Sequence, residues 1–372
     1  MEQKIRILHV VGRMDIGGAE SRIMDLYRNI DREKIQFDFI QHTADKGAYQ
    51  EEVEKLGGHV YSVPRFRVIN YFSYRKSWRE FFKNHPEIRV VHGHMTSTAG
   101  IYLPIAKMVG KVYTIAHARS AGVEKGLKGL LTKLLRHNLS KKCDQCFTCS
   151  KLAGEAVFGK KAVREGKVTT IPNAIEVERF VYNEQVRKTM RESLHIGEND
   201  FVIGHVGRFV PVKNHEYLLQ ILEACLEKEK SAKLLLIGDG GLRQSIAEKA
   251  ENMQLSDHII FAGNQKKVED FYQAMDFFLL PSFYEGLPGT AIEAQTSGLP
   301  GILSEWITEE AIITDLMKQK SIELPAKEWA DAILERKPYC RKTRVEEVKQ
   351  AGFDAGEQAK RLSQFYLEAT GK

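Results

Sequence analysis

The sequence predicts an α/β protein of two doubly wound, Rossmann-like domains facing a central cleft, and three observations carry that prediction. Short apolar runs alternate with helix-length segments through the first half of the chain. The rhythm breaks between Pro172 and Arg187 and then restarts. The 372 residues also suit two domains of roughly 150 residues each.

In chain order, the strand candidates of the first half are Ile5–Val11, Phe37–Gln41, His59–Val63, Val90–His94, Val112–His117, Cys146–Ser150 and Val168–Ile171. Helical patterns lie between most of them, as an open parallel sheet requires. The second series comprises Phe201–Val206, Leu234–Ile237, Ile259–Phe261, Phe277–Leu280 and Gly301–Leu303. The expected boundaries are a first domain over 1–175, a second over 176–351 and a final helical segment over 352–372.

Hydrophobic content of 43% and charged content of 28% are those of an ordinary globular chain. No apolar run reaches the about 20 residues that span a bilayer. Ile5–Val11 is too short and too punctuated by Arg6 and His9 for an export signal. A cytoplasmic protein, with its five cysteines reduced, is the expectation. The net charge of +6 is uneven. Residues 61–83 set Arg65, Arg67, Arg75, Lys76, Arg79 and Lys83 against Glu80, and residues 124–142 set Lys125, Lys128, Lys133, Arg136, Lys141 and Lys142 against Glu124. Each segment therefore carries +5, which leaves the remainder at −4. Leu127, Leu130, Leu131, Leu134 and Leu135 recur at helical spacing in the second. Two readings stay open: amphipathic helices with solvated basic faces, or peripheral contact with anionic headgroups at the inner face of the membrane. No nucleic-acid-binding motif accompanies the charge.

The most informative stretch runs from Leu280 to Ala294. A buried strand ends there, Glu285-Gly286-Leu287-Pro288-Gly289 breaks it, and Thr290–Thr296 reads as a helix stopped by Gly298 and Pro300. Strand, loop and helix in this order aim backbone N–H groups and the positive end of a helix dipole at an anion. Two carboxylates beside such a site, Glu285 and Glu293, need hydroxyl partners. A nucleotide-sugar supplies both phosphates and hydroxyls.

Glu285 and Glu293, spaced within E-G-L-P-x-x-x-x-E-A, resemble the signature of retaining glycosyltransferases of the B-type fold (GT-B), notably glycosyltransferase family 4. The resemblance covers nearly the whole chain and is strongest from Gly207 to Pro300. It implies that Glu285, with Gly286, Leu287 and Pro288, lies by the donor sugar and that Glu293 holds the ribose. Gly207-Arg208-Phe209-Val210-Pro211-Val212-Lys213-Asn214 is similar to the family's G-R-x-x-x-x-K-N element, whose two cations bind the donor diphosphate. Asn214 is a plausible cap for the helix that follows. Gly17 and Gly18, otherwise only a turn before a helix, are implied to approach the donor phosphate.

His92 reads as a hydrogen-bonded core residue. His94 and His117 match positions implied to lie near the acceptor and the donor sugar, with Arg119 beside them and Asn173 at the domain junction. No third metal ligand accompanies them at a recognisable spacing. Cys143, Cys146 and Cys149 form C-x2-C-x2-C where a buried strand is needed, so a role as small core hydrophobes is preferred to zinc. Gly238-Asp239-Gly240-Gly241 fails the dinucleotide fingerprint because Arg243 stands at its last position. No D-x-D motif is present, so the expectation is a site with no metal and no cofactor. Two departures from the family pattern, Trp306-Ile307-Thr308 in place of a Gly-rich loop and Ala174 in place of Gly, leave the sugar open.

The implied activity is transfer of a hexose from an NDP-sugar, with UDP as the expected nucleotide, to a saccharide. A lipid-linked glycan of a surface polysaccharide is the expected acceptor. Two other readings share the fold: a nucleotide-sugar epimerase or sugar phosphorylase, and a non-catalytic binding relative.

Overall fold

The computed structural model describes residues 4–120, 122 and 126–371. Glu124 and Lys125 of the second basic segment lie outside the described residues, as do the side chains of Leu127 and Lys128. Two compact units are present, Met1–Ala174 with Ala355–Lys372, and Ile175–Asp354.

The first unit is built on seven parallel strands: β1 (Ile5–Val11), β2 (Ile35–Gln41), β3 (Val60–Ser62), β4 (Ile88–Gly93), β5 (Tyr113–Ala118), β6 (Gln145–Thr148) and β7 (Val168–Thr170). They lie in the order β3-β2-β1-β4-β5-β6-β7. Strands such as β1 read as continuous apolar runs because helices cover both faces. The chain first steps outward from β1 to β3 and then returns through β4 to β7. With right-handed crossovers, the helices of the two series fall on opposite faces. Helix Gly18–Asn29 packs against the last helix, Ala355–Ala369, while Thr96–Ile105 packs between Tyr71–Asn84 and Gly126–Arg136.

The last helix belongs to this unit because Ala359, Leu362 and Tyr366 complete its core with Phe37, Phe39 and Tyr27. Tyr366 is fully buried, edge-on to Phe37 at 6.1 Å between ring centroids. Cys143, Cys146 and Cys149 are buried and unbridged, with 3.5 Å between the Sγ atoms of Cys143 and Cys146.

The second unit carries six parallel strands: β8 (Phe201–Val206), β9 (Ala232–Ile237), β10 (Ile259–Gly263), β11 (Phe277–Leu280), β12 (Gly301–Ser304) and β13 (Met317–Lys320). Their order is β10-β9-β8-β11-β12-β13. β13 escapes a reading by apolar runs because its sequence, Met-Lys-Gln-Lys, buries only Met317 and pairs on one side.

Three arginines tie this unit together by satisfying helix-end carbonyls that have no intrahelical donor. Arg187 and Arg341 each donate to the carbonyls of Gln273 and Met275, and Arg191 to that of Ala274. Arg341 also donates to Ser297 O at 2.7 Å and lies over the Tyr182 ring. Its burial brings its pKa down to about 9.

Because Tyr366 is so enclosed, Tyr366→Ala should cost about 3–5 kcal/mol, the range for large buried aromatics. Denaturant unfolding monitored in the first unit measures this, and an unchanged midpoint would contradict the packing described.

Candidate functional site

Both sheets reverse strand order at one place, between β1 and β4 in the first unit and between β8 and β11 in the second. Ligands of open parallel sheets bind outside the carboxyl ends of the strands at such a switch point. The site residues expected from the sequence gather at these two edges, one group in each unit.

In the second unit β8 ends at Val206 and delivers Gly207, Arg208 and Lys213, while β11 ends at Leu280 and delivers Ser282 to Glu285. The loops are tied to one another. Phe283 N donates to Val212 O at 2.8 Å, and Ser304 Oγ, at the end of β12, donates to Ser282 O at 2.5 Å. Lys213 Nζ lies 2.5 Å from Glu285 Oε1, which also accepts from Ser282 Oγ at 3.1 Å. The sequence reading assigned these two groups to different parts of a ligand; they form one mostly buried ion pair. Arg208 is exposed and has no ion pair among the described residues.

Glycine is required at Gly207, where a Cβ would meet His205 Nε2 at 2.8 Å and press on the Lys213 side chain at 3.2 Å. Gly238, at φ +132, brings the Gly-Asp-Gly-Gly loop to within 2.2 Å of Gly207 O for any Cβ placed there. That loop therefore buttresses the Arg208 loop. Asn214, the expected cap, sits at the N-cap position in left-handed conformation, and its side chain makes no cap bond.

Helix Gly289–Thr296 follows Leu287 and Pro288, both buried, and its body is buried on all sides. In its first turn Ala291 N donates to Pro288 O at 3.1 Å, and the buried Thr290 Oγ1 has no partner among the described residues. Glu293, one turn on, is buried and accepts from Tyr272 Oη at 2.7 Å. Phe283 and Trp306, just beyond the ends of the neighbouring strands β11 and β12, are exposed.

In the first unit Gly17 and Gly18 open helix Gly18–Asn29. The Glu20 carboxylate occupies the space beside Gly17, whereas a Cβ at Gly18 would meet open space. β1, β4 and β5 bring together His9, His92, His94 and His117. His9 escaped the sequence reading, since nothing local marks a histidine in an apolar strand as a neighbour of residues 92–94. His94 accepts from Arg119 Nε at 3.3 Å, and Arg119 also donates to Asn173 Oδ1 at 2.9 Å. With Nδ1 accepting, neutral His94 carries its proton on Nε2 and donates it to His9 Nδ1 at 3.0 Å. A second chain runs from Tyr366 Oη to His92 Nδ1 at 2.6 Å and from His92 Nε2 to His117 Nδ1 at 2.9 Å. With Tyr366 donating, His117 Nε2 bears a proton, and it is buried without a partner among the described residues.

The ligand atoms of His9, His92 and His94 lie within 4.8 Å of one another, a juxtaposition the sequence reading missed. Their rings are stacked. His9 and His94 are hydrogen-bonded to each other, whereas His92 is bonded to Tyr366 and His117, and Arg119 stands against His94. Burial, with Arg119 second, pushes His117 well below its ordinary pKa and His9 down to about 3. Burial, then neighbouring imidazoles and Arg119, lowers His92 and His94 well below theirs. Burial also brings Arg119 down to about 10.

Residues 186–335 match the family described as glycosyl transferases group 1, and residues 16–179 match glycosyltransferase family 4. EpsF of Bacillus subtilis (strain 168), named as a candidate glycosyltransferase, is 32% identical over 99% of this chain and 97% of its own. The chain belongs to the group 1 glycosyltransferases and is an enzyme of that class. CapH of Staphylococcus aureus, a capsular polysaccharide biosynthesis glycosyltransferase, is 26% identical over 98% of this chain and 99% of its own. An Escherichia coli UDP-Gal:α-D-GlcNAc-diphosphoundecaprenol α-1,3-galactosyltransferase is 25% identical over 81% of this chain and 79% of its own. Among solved structures, HepE of Anabaena in complex with UDP-glucose superposes with a TM-score of 0.72 at 15% identity, covering 99% of this chain and 97% of that one. That likeness shows a shared GT-B fold.

The neutral histidines make stability depend on pH. An unfolded histidine titrates near 6.5, whereas His9 does so at about 3 and His215, buried beside Lys213, at about 4. Folded values below unfolded ones give stability that is complete above pH 6.5 and declines as pH falls toward the folded values. Urea unfolding at pH 7 and pH 5 should show a loss of up to about 1.4 kcal/mol per pH unit for each such histidine. Equal stability at both values would mean that these imidazoles titrate in the fold as they do in the unfolded chain.

Proposed function

We propose that the protein is a retaining, metal-independent hexosyltransferase that moves a hexose from a UDP-sugar to a lipid-linked saccharide during surface-polysaccharide synthesis. The observation that carries this reading is the grouping at the β8/β11 edge: exposed Arg208, the Lys213–Glu285 pair, the start of helix Gly289–Thr296 and Tyr272-bound Glu293. Departure of a nucleoside diphosphate builds negative charge, which fixed cations and a helix end stabilise without reorganisation. Glu285 lies within the same pair, so its carboxylate supports positive charge developing on the sugar. Glu293, held in place by Tyr272, accepts ribose hydroxyls.

In this reading Glu285 acts by its charge, and an acceptor hydroxyl attacks on the leaving-group side while the donor phosphate takes its proton. His117, with an N–H donor to spare, serves a sugar hydroxyl. His94, Arg119 and Asn173, already joined by hydrogen bonds, serve the acceptor side. The names of the E. coli and S. aureus relatives support the diphosphate-lipid acceptor and the polysaccharide setting, and HepE bound to UDP-glucose supports the donor.

Four substitutions test the arrangement in steady-state assays with UDP-sugars. Arg208→Ala and Lys213→Ala should each lower kcat by roughly 10²-fold, the scale of a lost transition-state donor. Glu285→Gln should mainly depress kcat, and Glu293→Gln should mainly raise the donor KM. Since Lys213 and Glu285 touch, their double variant should lose less than the two single losses combined. Full activity in Arg208→Ala, or reversed behaviour of the two glutamates, would refute these roles.

Positive charge at the diphosphate comes from side chains and a helix end, so turnover should persist in EDTA. Abolition by chelator with recovery on adding magnesium or manganese would overturn metal independence.

A further inference from the structure

In helix Tyr71–Asn84 the residues Tyr74, Trp78 and Phe82, spaced four apart, point into the first unit and are buried. The opposite stripe carries Phe72, Lys76, Arg79 and Lys83, all exposed. The preceding turn, Val68–Asn70, continues the pattern, with Val68 62% and Ile69 92% exposed next to Phe72 at 85%. This exposure is built into the turn. Asn70 accepts from Arg67 N at 2.7 Å and donates to Arg65 O at 3.0 Å, fixing the segment that presents the apolar side chains.

Across helix Thr96–Ile105, helix Gly126–Arg136 shows a similar face. Leu130 and Leu134, one turn apart, are 67% and 69% exposed beside exposed Lys133. Among the described residues Arg65, Arg67, Arg79, Lys83 and Lys133 form no ion pair. Burying this face against a second copy would set cations against cations, and no nucleic-acid-binding motif accompanies the charge. An anionic bilayer surface satisfies both features, taking apolar tips into its headgroup layer and pairing cations with lipid phosphates.

We infer that this face of the first unit docks on an anionic lipid bilayer, with Ile69 and Phe72 entering the headgroup layer and Arg67, Arg79 and Lys83 meeting phosphates, while Lys76 pairs with Glu80 at 3.7 Å. The lipid-linked acceptor of the proposed function would give such docking its purpose, while the surface itself rests on exposure and charge.

Sedimentation of the full chain with phosphatidylcholine vesicles, with and without phosphatidylglycerol, provides the test. Binding should require phosphatidylglycerol and weaken with added salt. The double variant Ile69→Ser/Phe72→Ser should lower affinity about ten-fold, and Arg67→Gln/Arg79→Gln about five-fold per cation. Melting temperature and turnover on a water-soluble saccharide acceptor should stay unchanged in both. The inference is overturned by absence of phosphatidylglycerol-dependent binding or by binding unaltered in both double variants. A dimer that Ile69→Ser/Phe72→Ser dissociates, or binding to a polynucleotide but not to vesicles, would overturn it equally. Vesicle binding needs no turnover, so intact docking with failed transfer would count against the proposed function alone.

Discussion

Parallel strand pairing is the constraint on which this enzyme depends. It places every strand's carboxyl end at one edge of its sheet, and reversal of strand order opens that edge at a single point in each unit. Loops leaving β8 and β11 must diverge there, so a cation-bearing loop and a carboxylate-bearing loop face each other. The Lys213–Glu285 pair follows from this, as does the convergence of His9, His92 and His94 at the ends of β1 and β4. Loops at the edge are then fixed by bonds between neighbours, such as those from Ser304 to Ser282 and from Phe283 to Val212.

The two sites use opposite electrostatic solutions. In the second unit charge is retained, with Arg208 open to solvent and Lys213 paired with Glu285. In the first unit charge is suppressed. Burial keeps four imidazoles neutral, Arg119 fixes which nitrogen of His94 carries its proton, and Tyr366 heads a second hydrogen-bonded chain through His92 to His117. The last helix thus has two functions in one residue, since Tyr366 fills the core and directs the His92–His117 chain. Its position among Phe37 and Tyr27 explains why the chain returns to the first unit after completing the second.

Several features that are weak as sequence become intelligible through contacts. Gly-Asp-Gly-Gly matches no nucleotide fingerprint, yet its backbone must pass within reach of Gly207 O, which excludes a side chain at Gly238. The C-x2-C-x2-C run is core filling, with all three thiols buried. Asn214 has the right identity for a cap and the wrong backbone conformation to act as one, because the turn holding Lys213 leaves it left-handed.

The sequence by itself determined the alternation of apolar strands and helices and the positions of twelve of the thirteen described strands to within a few residues, and its family resemblance singled out Arg208, Lys213, Glu285 and Glu293. These are legible because they depend on local chemistry: apolar runs long enough for a buried strand, turn residues that end them, and short spacings within one loop and helix. β13 was illegible because an edge strand needs little apolar surface, and its Met-Lys-Gln-Lys has none to spare. Tertiary structure alone decided that His9 meets His94, that Lys213 holds Glu285, that Tyr272 holds Glu293, and that Tyr366 reaches back to His92 across 274 positions of chain. Such pairings depend on strand order and on which helix covers which face, and hydrophobic periodicity carries no record of either.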